Sequence, residues 1–249
     1  YSGQDRVSDL VEYEIGLSFT PAESQWSAVA ELSYTGAGDS AFETVAVSYQ
    51  YSDALSFTAG QVYTYMGLES VDAPNNSFIS FAGAGGTMLY NDTTFAEGLC
   101  ADYSAGDITL GVWGEASANG SFEYYAAYSG IENLTLSAAI ADNRISAGFE
   151  DVVNIMAVYE LGDFTISAED VDVDNILDVS AVSVAYGMGD TTFAVRLVDG
   201  ESGADDYEKV SIAAFHSLSD NVAVGVEYSD EELAGDDTTG IGVELLYVF

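Results

Sequence analysis

The chain has 249 residues, with 42 Asp and Glu against 4 Lys and Arg, for a formal charge of −38, yet 48% of its residues are hydrophobic. That charge excludes a nucleic-acid partner, which needs Lys and Arg to displace phosphate counterions, and that apolar content argues against disorder. The single cysteine, Cys100, rules out an intrachain disulfide and a cysteine-based zinc site, and no run approaches the ~18 apolar residues of a membrane helix.

Alternation with a period of two dominates the chain. It places strands at about 10–20, 25–35, 41–51 and 54–64 and, after a long interval, at 94–104, 107–118, 121–129, 132–142, 150–161, 163–172, 178–188, 191–199, 207–217, 221–230 and 238–249. In the first, Tyr13, Ile15, Leu17 and Phe19 share one face, and Glu12, Glu14, Gly16 and Ser18 the other. In 107–118, Ile108, Leu110 and Val112 oppose Thr109, Gly111, Trp113 and Glu115; in 121–129, Phe122, Tyr124, Ala126 and Tyr128 oppose Glu123, Tyr125 and Ala127. Near the end Val222, Val224, Val226 and Tyr228 oppose Ala223, Gly225 and Glu227, and the pattern runs on to Phe249. The 25 Gly, 17 Tyr and 12 Phe suit many short strands joined by tight turns.

The links between these strands are of two kinds. Short, turn-like ones fall at Ser52, Ala105, Leu161, Met188 and Leu218, and the interleaved set includes longer ones at 65–93, 142–149, 199–206 and 230–237. An all-β chain built this way is either a soluble sheet whose apolar faces pack as a core, or an outer-membrane barrel with those faces turned to lipid and the polar faces to water. The apolar faces carry Val, Leu, Ala and Tyr, with aromatic residues such as Tyr34, Tyr103, Tyr159 and Tyr247 near strand ends, as interfacial girdles require. The opposite faces carry Gly, Ser, Thr and isolated Glu. The expectation is a transmembrane antiparallel β-barrel, one domain over 1–249. An unpaired edge in lipid is prohibitive, so fifteen strands predict either a sixteenth, ahead of Tyr1, pairing with the last, or a miscounted element around RISAGFEDVV.

The same parity turns Glu12, Glu14, Glu31, Asp102, Glu115, Glu123, Glu160, Glu169, Glu227 and Glu244 inward. Arg196 shares its face with Thr192 and Ala194, and Lys209 shares its face with Ser211 and Ala213, so both cations face inward too; Arg144 falls in or near a loop. Rings of carboxylates favour cations, so the chain reads as a cation-preferring pore for small hydrophilic solutes; mere hydration of a wide wall is the plainer account of the same acids. The runs DVDVDN, DGESGADDYE and SDEELAGDD concentrate acid on one side. They suit Ca2+ or Mg2+ through oxygen ligands, although none has the spacing or central Gly of an EF-hand, and surface acidity screened by salt explains each as well. No cofactor is required. Enzymatic chemistry finds little support, because His216, the one histidine, sits on the apolar face near a turn and no orienting acid can be assigned to it. The Gly-rich run at Ala82 lacks the Lys and following helix of a phosphate loop.

With four early hairpin strands, then LSFTAGQVYTYMGLESVDAPNNSF, then the terminal aromatic of LLYVF, the chain resembles the general bacterial porins, most nearly the trimeric sixteen-stranded alphaproteobacterial ones. The resemblance is one of pattern over nearly the whole chain. It implies a bacterial outer-membrane location with lipid around the barrel, a homotrimer, a strand ahead of 10–20, calcium near the loops, and a long third loop, here 65–93, folded inward to narrow the pore. In such a pore Glu69 and Asp72 of the loop face wall cations across the constriction. Only Arg196 and Lys209 fit that role here, so the usual wall cluster is missing and a strong transverse field is not expected. The alternative from another class is an acidic extracellular structural, surface-layer or adhesive β-protein, with its apolar faces buried against each other.

Overall fold

The computed structural model describes residues 12–35, 40–69, 73–84, 89, 95–115, 120–142, 151–173 and 176–249. Fifteen strands account for most of them: β1 (Glu12–Phe19), β2 (Trp26–Thr35), β3 (Ser40–Gln50), β4 (Leu55–Tyr63), β5 (Phe95–Ala105), β6 (Ile108–Glu115), β7 (Phe122–Ile131), β8 (Leu134–Asp142), β9 (Val152–Leu161), β10 (Phe164–Val173), β11 (Leu177–Met188), β12 (Thr191–Ser202), β13 (Asp205–Ser219), β14 (Val222–Leu233) and β15 (Asp236–Tyr247). Each pairs with the next in one sheet ordered β1 to β15, antiparallel throughout, as in β1 with β2 and β14 with β15. β1 and β15 stand at the two ends of that order, and the expected sixteenth strand lies outside the described residues.

The alternation read from the sequence sorts the side chains. One face carries Leu17, Ile155 and Val195 at 70%, 55% and 44% exposure. Aromatic pairs meet across strands on it, Tyr13 on Tyr34, Trp26 on Tyr49 and Phe164 on Tyr186, with centroids 4.9, 4.7 and 4.5 Å apart. Each such pair adds roughly 0.2–1 kcal/mol to its strand pairing. An apolar band this continuous suits lipid rather than water.

The other face is concave and wraps a segment of chain. The residues after β4 touch Asp102 of β5 through Tyr65, and Gly242 of β15 through Ile79. In a flat sheet those two strands would lie about 48 Å apart, at ~4.8 Å per strand. The segment between them doubles back, with Ala82 N donating to Glu69, so the sheet must curl around it.

Two expectations need correcting. The links at 199–206 and 230–237 are not loops: β12 and β13 run on to a turn at 203–204, and β14 and β15 to a turn at 234–235. Gly203 has φ 69°, and Ala234 and Gly235 have φ 56° and 81°, the positive values that two-residue hairpins require. The acidic runs thus continue the strands beyond the apolar band. On the outer face Val182, Leu197 and Val210 lie side by side, and two residues further along Asp199, Glu208, Glu232 and Asp237 do the same. The inner face is also not uniformly polar. Val152, Val171, Val173, Val179 and Val198 are buried in a cluster with Ala139, Ala141 and Tyr207, because the inserted segment covers that part of the wall with Met66 and Ala82. A residue facing inward is here either wet or packed, and alternation alone does not say which.

Candidate functional site

The inserted segment leaves β4 at Tyr63, and the wall supplies the hydrogen bonds that an irregular backbone cannot make for itself. Thr64 Oγ1 and Tyr65 N both donate to Glu123 of β7, at 2.7 and 2.5 Å. Gly67 N donates to Asn154 Oδ1 of β9 at 2.8 Å and Leu68 N to Glu169 of β10 at 3.3 Å. Asn154 Nδ2 in turn donates to Glu169 at 2.9 Å. Past the 3-10 turn at Ala73–Asn75, Ile79 N, Ser80 N and Ser80 Oγ all donate to Glu227 of β14, at 2.5, 2.9 and 2.5 Å.

The carbonyls of the segment are met by donors. Arg196 of β12 donates to Ser80 O at 2.7 Å, Tyr207 of β13 to Ala82 O at 2.7 Å and Lys209 of β13 to Phe81 O at 2.8 Å. The wall is therefore sorted by chemistry: carboxylates, which only accept when ionised, take N–H groups, and guanidinium, ammonium and phenol take C=O groups. The bonds made by the carboxylates, guanidinium and ammonium are charge-assisted and of the stronger class, each contributing ~1.5–3 kcal/mol.

Apolar contacts add to this. Phe78 is buried against Ala194 and Ala213, with the Arg196 guanidinium carbon 4.4 Å from its ring centroid. Burying a side chain such as Met66 or Phe78 contributes about 1.5–3 kcal/mol. The Tyr65 ring stacks on Tyr125 of β7, centroids 5.4 Å apart, and donates its hydroxyl to Asp102 at 2.5 Å. It can lie there because Gly111 has no side chain: a Cβ at Gly111 would stand 2.7 Å from the ring.

Within the segment, Glu69 takes Arg196 Nη1 at 2.5 Å and Ala82 N at 2.9 Å. Burial pushes its carboxyl above the ordinary carboxylate range, and the Arg196 guanidinium works against that. The Tyr65 hydroxyl is likewise pushed up, by burial first and by its bond to Asp102 second.

The expected site residues thus fall into three groups. Glu69 and Arg196 are bonded to each other, and Lys209 lies 3.3 Å from Glu231 of β14; both cations hold the segment to the wall instead of facing it across an open gap. Glu123, Glu169 and Glu227, expected to line the pore, are buried beneath the segment. Glu14, Glu31, Asp102, Glu115 and Glu244 stay half-buried on the inner face and Glu160 is exposed on it. Of Glu12 only the backbone is described, and Asp72 and Arg144 lie outside the described residues. His216 is on the outer face, its Nδ1 2.9 Å from Thr191 Oγ1. Among the described residues no group of three or more His, Cys, Asp or Glu is placed to hold a metal ion.

Sequence reasoning missed Asn154, Tyr207 and Ser80. Asn154 carried a signal, being the lone amide at an inward position of the run VVNIMAVYE. Tyr207 carried none, since a tyrosine suits either face.

No protein-family model matches the chain, and no curated protein matches it in sequence. Its backbone is similar to solved outer-membrane structures. A mutant of the Rh. blastica porin is 16% identical, with a TM-score of 0.70, over 96% of this chain and 90% of that one. OmpT of Vibrio cholerae is 15% identical, with a TM-score of 0.64, over 95% of this chain and 88% of that one. A loop-deletion mutant of the same OmpT is 16% identical, with a TM-score of 0.65, over 95% and 90%. What is shared at these identities is the fold, an antiparallel β-barrel of the porin type.

Proposed function

We propose that the chain is an outer-membrane porin, passing small hydrophilic solutes by diffusion with a preference for cations, and that it performs no catalysis. The observation that carries this is the inversion of the sheet: apolar side chains are exposed on the outer face, while the inner face holds carboxylates and a chain segment narrowing the space within. The likeness to the Rh. blastica porin supports the same reading. Cation preference follows from how charge is used. Both described cations are engaged at the contact between segment and wall, whereas Glu14, Glu31, Asp102, Glu115 and Glu244 remain partly exposed inside. Carboxylates so placed attract cations and repel anions. A homotrimer in lipid accords with the porin resemblance, and divalent ions with the acidic strand tips.

The test is single-channel conductance and reversal potential of detergent-extracted protein in a planar bilayer under a KCl gradient. Stepwise conductance with a cation-selective reversal potential, weakening as the carboxylates are protonated, is expected. Anion selectivity would overturn the wall assignment. A protein soluble without detergent that forms no channel would return the reading to an acidic surface-layer protein.

A further inference from the structure

The inserted segment has two legs, and they hold different arcs of the wall. The outgoing leg, 64–69, is bonded to β7, β9 and β10 through Glu123, Asn154 and Glu169. The returning leg, 79–82, is bonded to β12, β13 and β14 through Arg196, Lys209 and Glu227. In the sheet each strand pairs with its neighbours in sequence, so β7 and β14 are separated by six others. The segment joins them directly.

The two legs are also fastened to each other. Glu69, at the end of the outgoing leg, accepts from Ala82 N of the returning leg with both carboxylate oxygens, at 2.9 and 3.1 Å, and from Arg196 Nη1. Arg196 Nη2 donates to Ser80 O of the returning leg at 2.7 Å and to Ser211 Oγ of the wall at 3.3 Å. One guanidinium thus joins outgoing leg, returning leg and wall. Arg196 and Ala82 are buried, so a bond broken there while the other leg stays in place is not replaced by one to water. Lifting the outgoing leg alone leaves a cation and an N–H buried without Glu69. Lifting the returning leg alone strips Glu69 of Ala82 N. Either half-detached state therefore costs more than the wall bonds of the leg that moved.

We infer that the segment is a two-state brace whose legs leave the wall together, so that Glu123 on β7 and Glu227 on β14 report one equilibrium through the clasp of Glu69 and Arg196. Attached, the brace narrows the space within the sheet and ties β12–β14 to β7–β10; released, it frees both arcs at once. In a pore this gives two current levels instead of a graded widening. That consequence rests on the porin reading, whereas the coupling of the legs does not.

The test is hydrogen exchange at the segment amides of the full chain in detergent, in variants that weaken one leg at a time. Thr64→Val removes the hydroxyl that donates to Glu123 and accepts from Met66 N, on the outgoing leg. Tyr207→Phe removes the donor to Ala82 O, on the returning leg. Each should speed exchange about tenfold, and by the same factor at Tyr65 and Leu68 of one leg as at Ile79 and Ser80 of the other. Acceleration confined to the altered leg would overturn the brace. Amides of the β2–β3 pairing, read alongside, should keep their wild-type rates; an equal rise there would mean that the whole sheet opens and not the brace. In planar bilayers both variants should spend more time at one wider current level, and a new level between the two would show a leg opening alone. Coupled exchange without any channel would sink the porin reading and leave the brace standing, and a channel whose legs exchange independently would do the opposite.

Discussion

Two parts of the inner wall carry the same residue and put it to different use. On β7, β10 and β14, Glu123, Glu169 and Glu227 are buried and accept backbone N–H groups from the inserted segment. On β1, β2, β6 and β15, Glu14, Glu31, Glu115 and Glu244 are half-buried on the inner face. The first set is structural: removing a member strands buried donors. The second set is electrostatic, and its removal should cost the fold little. Both sets occupy the same parity on their strands, so position in the alternation fixes which way a Glu points and not what it does.

The sharpest way to break this comparison is at Arg196, which bonds both the segment and the wall. Arg196→Met leaves Glu69 buried without its guanidinium and Ser80 O without a donor. A loss of about 3–5 kcal/mol is expected for such an uncompensated buried charge. It should appear as protease cleavage within 64–84 and as a larger, noisier conductance. Next is Glu227→Ala, which removes the acceptor of Ile79 N, Ser80 N and Ser80 Oγ and should lower stability by about 2–3 kcal/mol in thermal melts, while Glu31→Ala should stay within about 0.5 kcal/mol. Equal effects from the two would erase the distinction between the sets.

Gly111→Val tests how closely the segment lies on the wall. Its new side chain meets the Tyr65 ring, and overpacking of that kind costs about 1–3 kcal/mol, read as a lower melting midpoint with cation preference retained. The double change Glu31→Gln with Glu244→Gln should do the reverse, leaving the melt unchanged and cutting the cation-to-anion permeability ratio roughly twofold by weakening the lumenal field. Smallest of all is Glu208→Gln at the strand tips. It relieves repulsion from Asp199 and Glu232 directly opposite, for a gain of about 0.5 kcal/mol at low ionic strength that vanishes near 1 M salt.

The strands themselves were legible because side-chain direction in a strand repeats every two residues, and a chain with lipid outside and water inside must honour that repeat along each span. The strand tips were misread for the opposite reason. In DGESGADDYE and SDEELAGDD both faces meet water, so alternation carries no hydrophobic contrast, and acid with Gly looks like a loop. Arg196 and Lys209 were correctly turned inward, but their partners are far off in sequence: Glu69 and Ser80 precede Arg196 by 127 and 116 residues. No local pattern records such a contact.

By itself, then, the sequence determined the fold class, which residues face outward, and the excess of inward carboxylate, since each depends on period, composition and charge alone. The tertiary structure decided which of those carboxylates meet the lumen and which are covered. That choice turns on the path of the inserted segment across β5 to β15, where every buried N–H must find an acceptor and every buried C=O a donor, and residues that share a parity part company according to what lies over them.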